Sequence, residues 1–206
     1  MIRVAIELND VVRNINKQIL KYYQKDFDPS LDLDEIDDKD DPFKYAKFDS
    51  KKAKNEFLYI DYPYEVFGCA KTMSKGLQTE MTYWLSNLTN YEEDEVKIIF
   101  YSLNEESLTI QSTYFFLSKI GTRVREVIFP RSIDELKDVC DIVITANKDV
   151  IDALKDSKYT ILINNSRNSD YKDKVDKNYD SLSEVIKDEP LLNDFYKFVH
   201  KDGKTS

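Results

Sequence analysis

The stretch Arg3-Val4-Ala5-Ile6-Glu7-Leu8-Asn9-Asp10-Val11-Val12 decides how this chain is read. Its first part is a mostly apolar run, suited to a strand covered on both faces. The acidic and amide residues that follow mark a turn. Val11, Ile15, Ile19 and Tyr22 then recur at helical spacing, which predicts a helix over residues 10–24. A buried strand that ends in polar side chains and feeds a helix sets those side chains at the carboxyl edge of a sheet. That edge is where open α/β folds bind ligands.

Working outward, the same alternation repeats. Apolar runs at 96–102, 124–129, 141–145 and 159–164 read as four more strands, with helices at about 105–119, 133–139 and 148–155 between them. Strands and helices of these lengths imply right-handed crossovers and a parallel sheet. The expected fold is therefore α/β: a Rossmann-like, five-stranded parallel sheet with helices on both faces. The long gap after the first strand–helix unit is mostly helical and reads as a cap. The expected division is 1–24 and 91–165 for the core, 25–90 for the cap insertion, and 166–206 for a C-terminal helical extension. The run from Asp32 to Asp41, bracketed by Pro29 and Pro42, reads as a solvated acidic loop. It lacks the glycine and terminal glutamate spacing of a calcium-binding loop.

The 206 residues carry a formal charge of −9, with 41 % hydrophobic and 33 % charged residues. That supports a real core and argues against a membrane protein, since no apolar run approaches the roughly 20 residues of a spanning helix. Direct nucleic-acid binding is not expected of an acidic chain without an Arg-rich helix. No signal-peptide pattern opens the sequence, so an intracellular protein, or one assembled from an intracellular pool, is expected. Cys69 and Cys140 read as separate reduced thiols. A single histidine, His200, leaves no histidine-based metal site or triad. The four glycines are too scattered for a phosphate-cradling loop.

The layout resembles the haloacid dehalogenase (HAD) superfamily, whose first strand ends in Asp-x-Asp followed by a small residue and Val. The segments Asn9–Arg13, Phe57–Gly68 and Tyr114–Lys119 are similar, more closely, to HAD-like proteins of crAss-like tailed bacteriophages. The resemblance implies a phosphotransfer site. An aspartate nucleophile would stand at Glu7 and an acid/base aspartate at Asn9. A hydroxyl that binds the phosphoryl group would be Ser102, a lysine Lys119, and the Mg²⁺-binding acids would fall at Thr145 and Ala146. Glu7 keeps the charge but adds a methylene, and Asn9 cannot shuttle a proton. Both could equally serve as ordinary caps of the following helix, Ser102 as a turn residue and Lys119 as a solvated lysine.

With the acid/base and both metal acids replaced, the resemblance implies a catalytically degenerate member with no cofactor, one that is not an enzyme. The expected function is a structural or interaction subunit, assembled with other protein subunits and destined for a phage virion or tail ring. Two alternatives stand beside it: a nucleotide- or phosphate-binding protein without hydrolysis, and a weak Mg²⁺-dependent phosphatase or 5′-nucleotidase with Glu7 as nucleophile. For the structural reading, the expected contact residues are Phe57, Tyr59, Tyr62, Tyr64, Phe67, Leu191, Phe195 and Phe198, because aromatics with polar handles suit interfaces.

Overall fold

The computed structural model of the chain describes residues 1–37, 39–90, 96–121 and 124–201. The elements run β1 (Ile2–Glu7), β2 (Arg13–Asn14), α1 (Ile15–Asp26), α2 (Lys51–Glu56), β3 (Lys71–Thr72) and α3 (Leu77–Asn90). They continue with β4 (Val96–Tyr101), α4 (Ser107–Ile120), β5 (Val127–Ile128), α5 (Ile133–Val139), β6 (Ile142–Thr145) and α6 (Lys148–Leu154). The last are β7 (Tyr159–Ile163), β8 (Lys177–Tyr179), α7 (Leu182–Lys187) and α8 (Leu191–Lys201). β2 and β3 pair as a small antiparallel two-stranded sheet.

The main sheet is wholly parallel, in the order β5-β4-β1-β6-β7-β8. The parallel α/β architecture is as the sequence implies, but with six strands rather than five. The extra strand, β8, is the polar triplet Lys177-Asn178-Tyr179 at the edge. It carries no apolar run to announce it, and charge on an edge strand blunts unwanted pairing.

The central strands β1, β6 and β7 bury both faces. Val4, Ile6, Phe100, Ile144 and Ile161 join one cluster with Phe116 and Ile120 of α4, Leu77 and Met81 of α3, and Leu182 and Phe195. Ala5, Tyr101 and Val143 join the other with Leu136, Val150 and Leu154 from α5 and α6. Near-continuous apolar strands are what a sheet covered on both sides requires.

A smaller cluster forms the cap: Ile19, Leu20 and Tyr23 of α1 pack with Phe57, Leu58, Val66 and Phe67. Residues Phe57–Asp61 and Tyr64–Gly68 form two wide π-type turns. The expected boundaries cut across these clusters, since α1 contributes to the cap and α3 to the main core. Residues 166–206 supply β8, and α7 and α8 pack on the main cluster.

The helix expected from residue 10 begins at Ile15. Asp10 has φ 61, and Asn14 caps the helix by accepting a bond from the Lys17 amide at 3.0 Å. Residues 8–14 are thereby freed to form a turn and one strand of the two-stranded sheet.

Candidate active site

From β1 the chain passes outward through β4 to β5, then returns to β6 on the opposite side of β1. Connections leaving β1 and β6 thus diverge, and the crevice beyond their carboxyl ends is the switch point where such sheets bind ligands. Glu7 closes β1 there, and Thr145 closes β6.

Glu7 is 7 % exposed. Its Oε2 accepts bonds from the Thr145 hydroxyl and from the Ala146 amide at 3.0 Å. The Asn147 amide in turn donates to Thr145 Oγ1 at 3.0 Å, which fixes the hydroxyl. Burial pushes the Glu7 carboxyl up to about 7, against the pull of these two donors.

A cleft of about 260 Å³ opens beside it, lined by Glu7, Asp10, Lys148, Asp149, Arg167 and Asn168 among others. Arg167 pairs with Asp10. Burial raises the Asp10 carboxyl, and Arg167 counters it. The arginine is presented by a loop after β7 that Asn168 fastens down. The fully buried Asn168 donates to the Ala146 and Ile163 carbonyls, each at 2.9 Å. The polar run Asn165–Asp170 is therefore a built part of the site.

Asn9 faces a different partner set. Its Nδ2 donates to Ser102 Oγ at 3.1 Å, and its Oδ1 accepts from Arg13 Nε at 2.7 Å. Arg13 is fully buried. It pairs with Glu105 and donates to Thr113 Oγ1 at 2.5 Å and to the Phe67 carbonyl at 3.3 Å. Its guanidinium also lies 5.1 Å from the Phe67 ring centroid and 5.7 Å from that of Phe116. One cation thus ties β1's turn, the cap and α4 together. Lys119 does similar work: its Nζ donates to the Gly68 and Ala70 carbonyls at 3.1 and 2.7 Å.

The six positions singled out in the sequence therefore divide. Glu7, Thr145 and Ala146 meet at the switch point. Asn9 and Ser102 meet each other through the Arg13 network. Lys119 pins the end of the cap and does not line the cleft. Arg13, Glu105, Arg167 and Asn168 are site residues that the sequence pattern does not single out. A lone arginine directly after Val11-Val12 was the one local hint.

The expected contact surface is corrected in part. Phe57 and Phe67 are 1 % and 3 % exposed in the cap core, and Leu191 and Phe195 are 3 % and 0 % exposed in the main core. Their apolar surface is already spent on this chain's own packing. Tyr59, Tyr62 and Phe198 are half-buried against the same clusters, and Tyr64 is exposed.

The residues at the switch point do not suit Mg²⁺. That ion relies on carboxylates; the end of β6 offers Thr145 and Ala146, with Lys148 two residues on, Asp10 is engaged by Arg167, and the other acids lining the cleft are Glu7 and Asp149. Among the described residues no group of three or more His, Cys, Asp or Glu side chains is placed to hold a metal.

No family model and no curated protein matches the sequence. A solved structure does match: a "putative haloacid dehalogenase-like hydrolase" from Burkholderia xenovorans LB400, with TM-score 0.57 and 9 % identity, covering 93 % of this chain and 98 % of that one. The chain shares the fold of that "putative haloacid dehalogenase-like hydrolase". The match spans nearly the whole of both chains. It also corrects one expectation. Loss of the aspartates alone implies a protein that is not an enzyme, yet this fold is shared with a protein described as a "putative" hydrolase, and Glu7 keeps a carboxylate at the end of β1. At 9 % identity the likeness shows the fold and assigns no substrate. Among the described residues no helix is long and apolar enough to cross a membrane.

Proposed function

We propose that the chain is a slow hydrolase of phosphate monoesters, with Glu7 as the reacting carboxylate and Arg167 and Lys148 holding the phosphoryl group. The observation that carries this is the carboxyl at the end of β1, raised to about 7 and bordering a cleft that also contains both cations. A carboxylate poised near neutrality is a common feature of reacting groups. The two cations offset the charge of the transferring group, while Asp149 opposes them.

In the step proposed, a Glu7 oxygen forms a bond to phosphorus as the ester P–O bond breaks, and the departing alkoxide takes a proton from water. A second water then cleaves the acyl phosphate, which releases inorganic phosphate and restores Glu7. Asn9 cannot supply the proton that a second carboxyl would, a contribution ordinarily worth about 10²–10⁴ in rate. Slow turnover follows. The test is phosphate release over a panel of phosphate monoesters. Release by the parent chain that is lost in Glu7→Gln supports the reading, and no release over the whole panel overturns it.

A second reading concerns partners and is compatible with the first: the chain works within an assembly of protein subunits. Supporting it, Tyr64 and Phe115 meet at 4.9 Å between ring centroids and are 46 % and 39 % exposed, while Ile60 and Leu108 are exposed as well. Surface apolar residues of this size suit an interface. A virion role rests on the resemblance to phage proteins. Native mass spectrometry of the source particle tests it, with a fixed stoichiometry in a large complex as the supporting result and a free monomer as the opposing one.

A further inference from the structure

The cap carries a concavity of its own, about 440 Å³, between the turn Pro42–Lys44 and the start of α2. Lys47, Lys51 and Lys54 stand around it, and no acid lines it. The whole chain has 39 acids against 30 lysines and arginines, so three cations without an anion reverse its charge locally.

The backbone brings these cations together. Ser50 caps α2 by accepting from the Ala53 amide at 3.0 Å, and Lys51 and Lys54 then fall three residues apart on one helix face. Lys54 is half-buried, and its Nζ lies 3.2 Å from the Phe43 ring centroid. Lys47 Nζ donates to the Phe43 carbonyl at 3.5 Å. Two ammonium groups thus converge on one residue. Neighbouring Lys52 pairs with Glu56 at 3.7 Å, yet none of the three has a carboxylate at ion-pair distance among the described residues. Burial pulls the Lys54 ammonium down; Asp41 opposes that, and Arg167 and Lys51 add to it. Asp41 is itself engaged, since its Oδ1 accepts from the Phe43 amide at 3.1 Å. Like charges held together repel, and a concavity lined by one sign of charge gathers counter-ions.

This side of the cap meets the loop that carries Arg167. The Ser166 amide and hydroxyl donate to the Lys39 carbonyl at 3.3 and 3.1 Å, which fastens that loop to the segment leading into Pro42–Lys44.

We propose that the concavity binds a phosphate group of a small molecule, and that the substrate is an ester with two phosphates, one held in the cleft and one here. The substrate half rests on the phosphate-monoester reading; the binding half does not. Three ammonium groups match a dianion with three acceptor oxygens better than they match a single carboxylate. A nucleic acid is disfavoured, because the rest of the chain is acidic.

The binding half is tested by NMR on the isotope-labelled full chain, with inorganic phosphate added at an ionic strength fixed with sodium chloride. Phosphate is expected to shift the amide signals of residues 47–55 at millimolar concentration, separately from those of residues 146–149 at the cleft. Lys51→Gln combined with Lys54→Gln weakens binding at 47–55 by at least about tenfold. Lys52→Gln removes the same charge from the same helix outside the concavity and leaves binding unchanged. For the substrate half, kcat/KM for fructose 1,6-bisphosphate is expected to exceed that for fructose 6-phosphate by at least about tenfold, a preference lost in the double variant. No shift at 47–55, unaltered binding in the double variant, or an equal loss in Lys52→Gln overturns the proposal. Phosphate binding with no preference between the two esters overturns the substrate half alone. A chain that binds phosphate here but releases none refutes the hydrolase reading, and the substrate half with it, while the binding half stands.

Discussion

The Thr145 hydroxyl donates to Glu7 Oε2, which joins the ends of β6 and β1 across the switch point. With the Ala146 amide it gives the carboxylate two donors from one turn. Burial still outweighs them, and the carboxyl rises from its ordinary 4.5 to about 7. The folded state therefore holds this proton more tightly than the unfolded chain does.

That has a stability consequence with a definite sign. The contribution of the protonated carboxyl is full below the unfolded value and is lost as pH rises through about 7, up to ~3 kcal/mol in all. Glu7→Gln keeps the acceptor oxygen and removes the titration. Between about pH 5 and 8 the variant is expected to gain stability relative to the parent, read by urea unfolding at each pH. A constant difference across that range contradicts the account.

The same titration divides binding from turnover. Protonating Glu7 removes a negative charge from the cleft, so a phosphate ester binds more tightly below pH 7. Attack needs the ionised form, so kcat falls over the same range. A KM and a kcat that both fall as pH drops through about 7, measured with an aryl phosphate whose own titration is separately corrected, are the expected pattern.

Arg13 and Glu105 are both sealed from solvent, with side chains 0 % and 1 % exposed. Removing one member strands the other. Arg13→Met is expected to cost about 3–5 kcal/mol, and Arg13→Met with Glu105→Gln distinctly less than the sum of the single changes. A double-mutant cycle in urea checks this. Additive single effects would mean that the two charges are not coupled.

Asn9→Asp restores the residue that the HAD pattern calls for, yet the Arg13 Nε donates to that position at 2.7 Å. A carboxylate there would stay ionised beside the guanidinium and would make a poor proton donor. The expected gain in phosphate release is under about tenfold, short of what general acid catalysis ordinarily contributes. A larger gain would show that Asn9 alone limits the rate.

Much of the fold was legible because buried parallel strands announce themselves. Ile2–Glu7, Ile142–Thr145 and Tyr159–Ile163 are mostly apolar, and the runs at 141–145 and 159–164 lie within one residue of the observed bounds of β6 and β7. β8 was not legible, since a charged edge triplet has no such signature. The start of α1 was misplaced because Val11 and Val12 continue the apolar pattern, while backbone turning at Asp10 and the Asn14 cap decide the boundary.

The site was legible only at the strand ends. Glu7, Thr145 and Ala146 meet because strand register brings them together, and the sequence order of strands implies that. Arg13 reaches Glu105 across 92 residues, and Arg167 reaches Asp10 across 157. Such pairs are set by how the loops close over the sheet, and no local spacing encodes them.

The central claim is that Glu7 reacts with the phosphoryl group. The direct measurement is rapid acid quench of the chain with an aryl phosphate, followed by peptide mass analysis. The account predicts a phosphoryl adduct on the peptide carrying Glu7, absent in Glu7→Gln. Product release from the parent chain with no adduct at Glu7, or an adduct that persists in the variant, would contradict it.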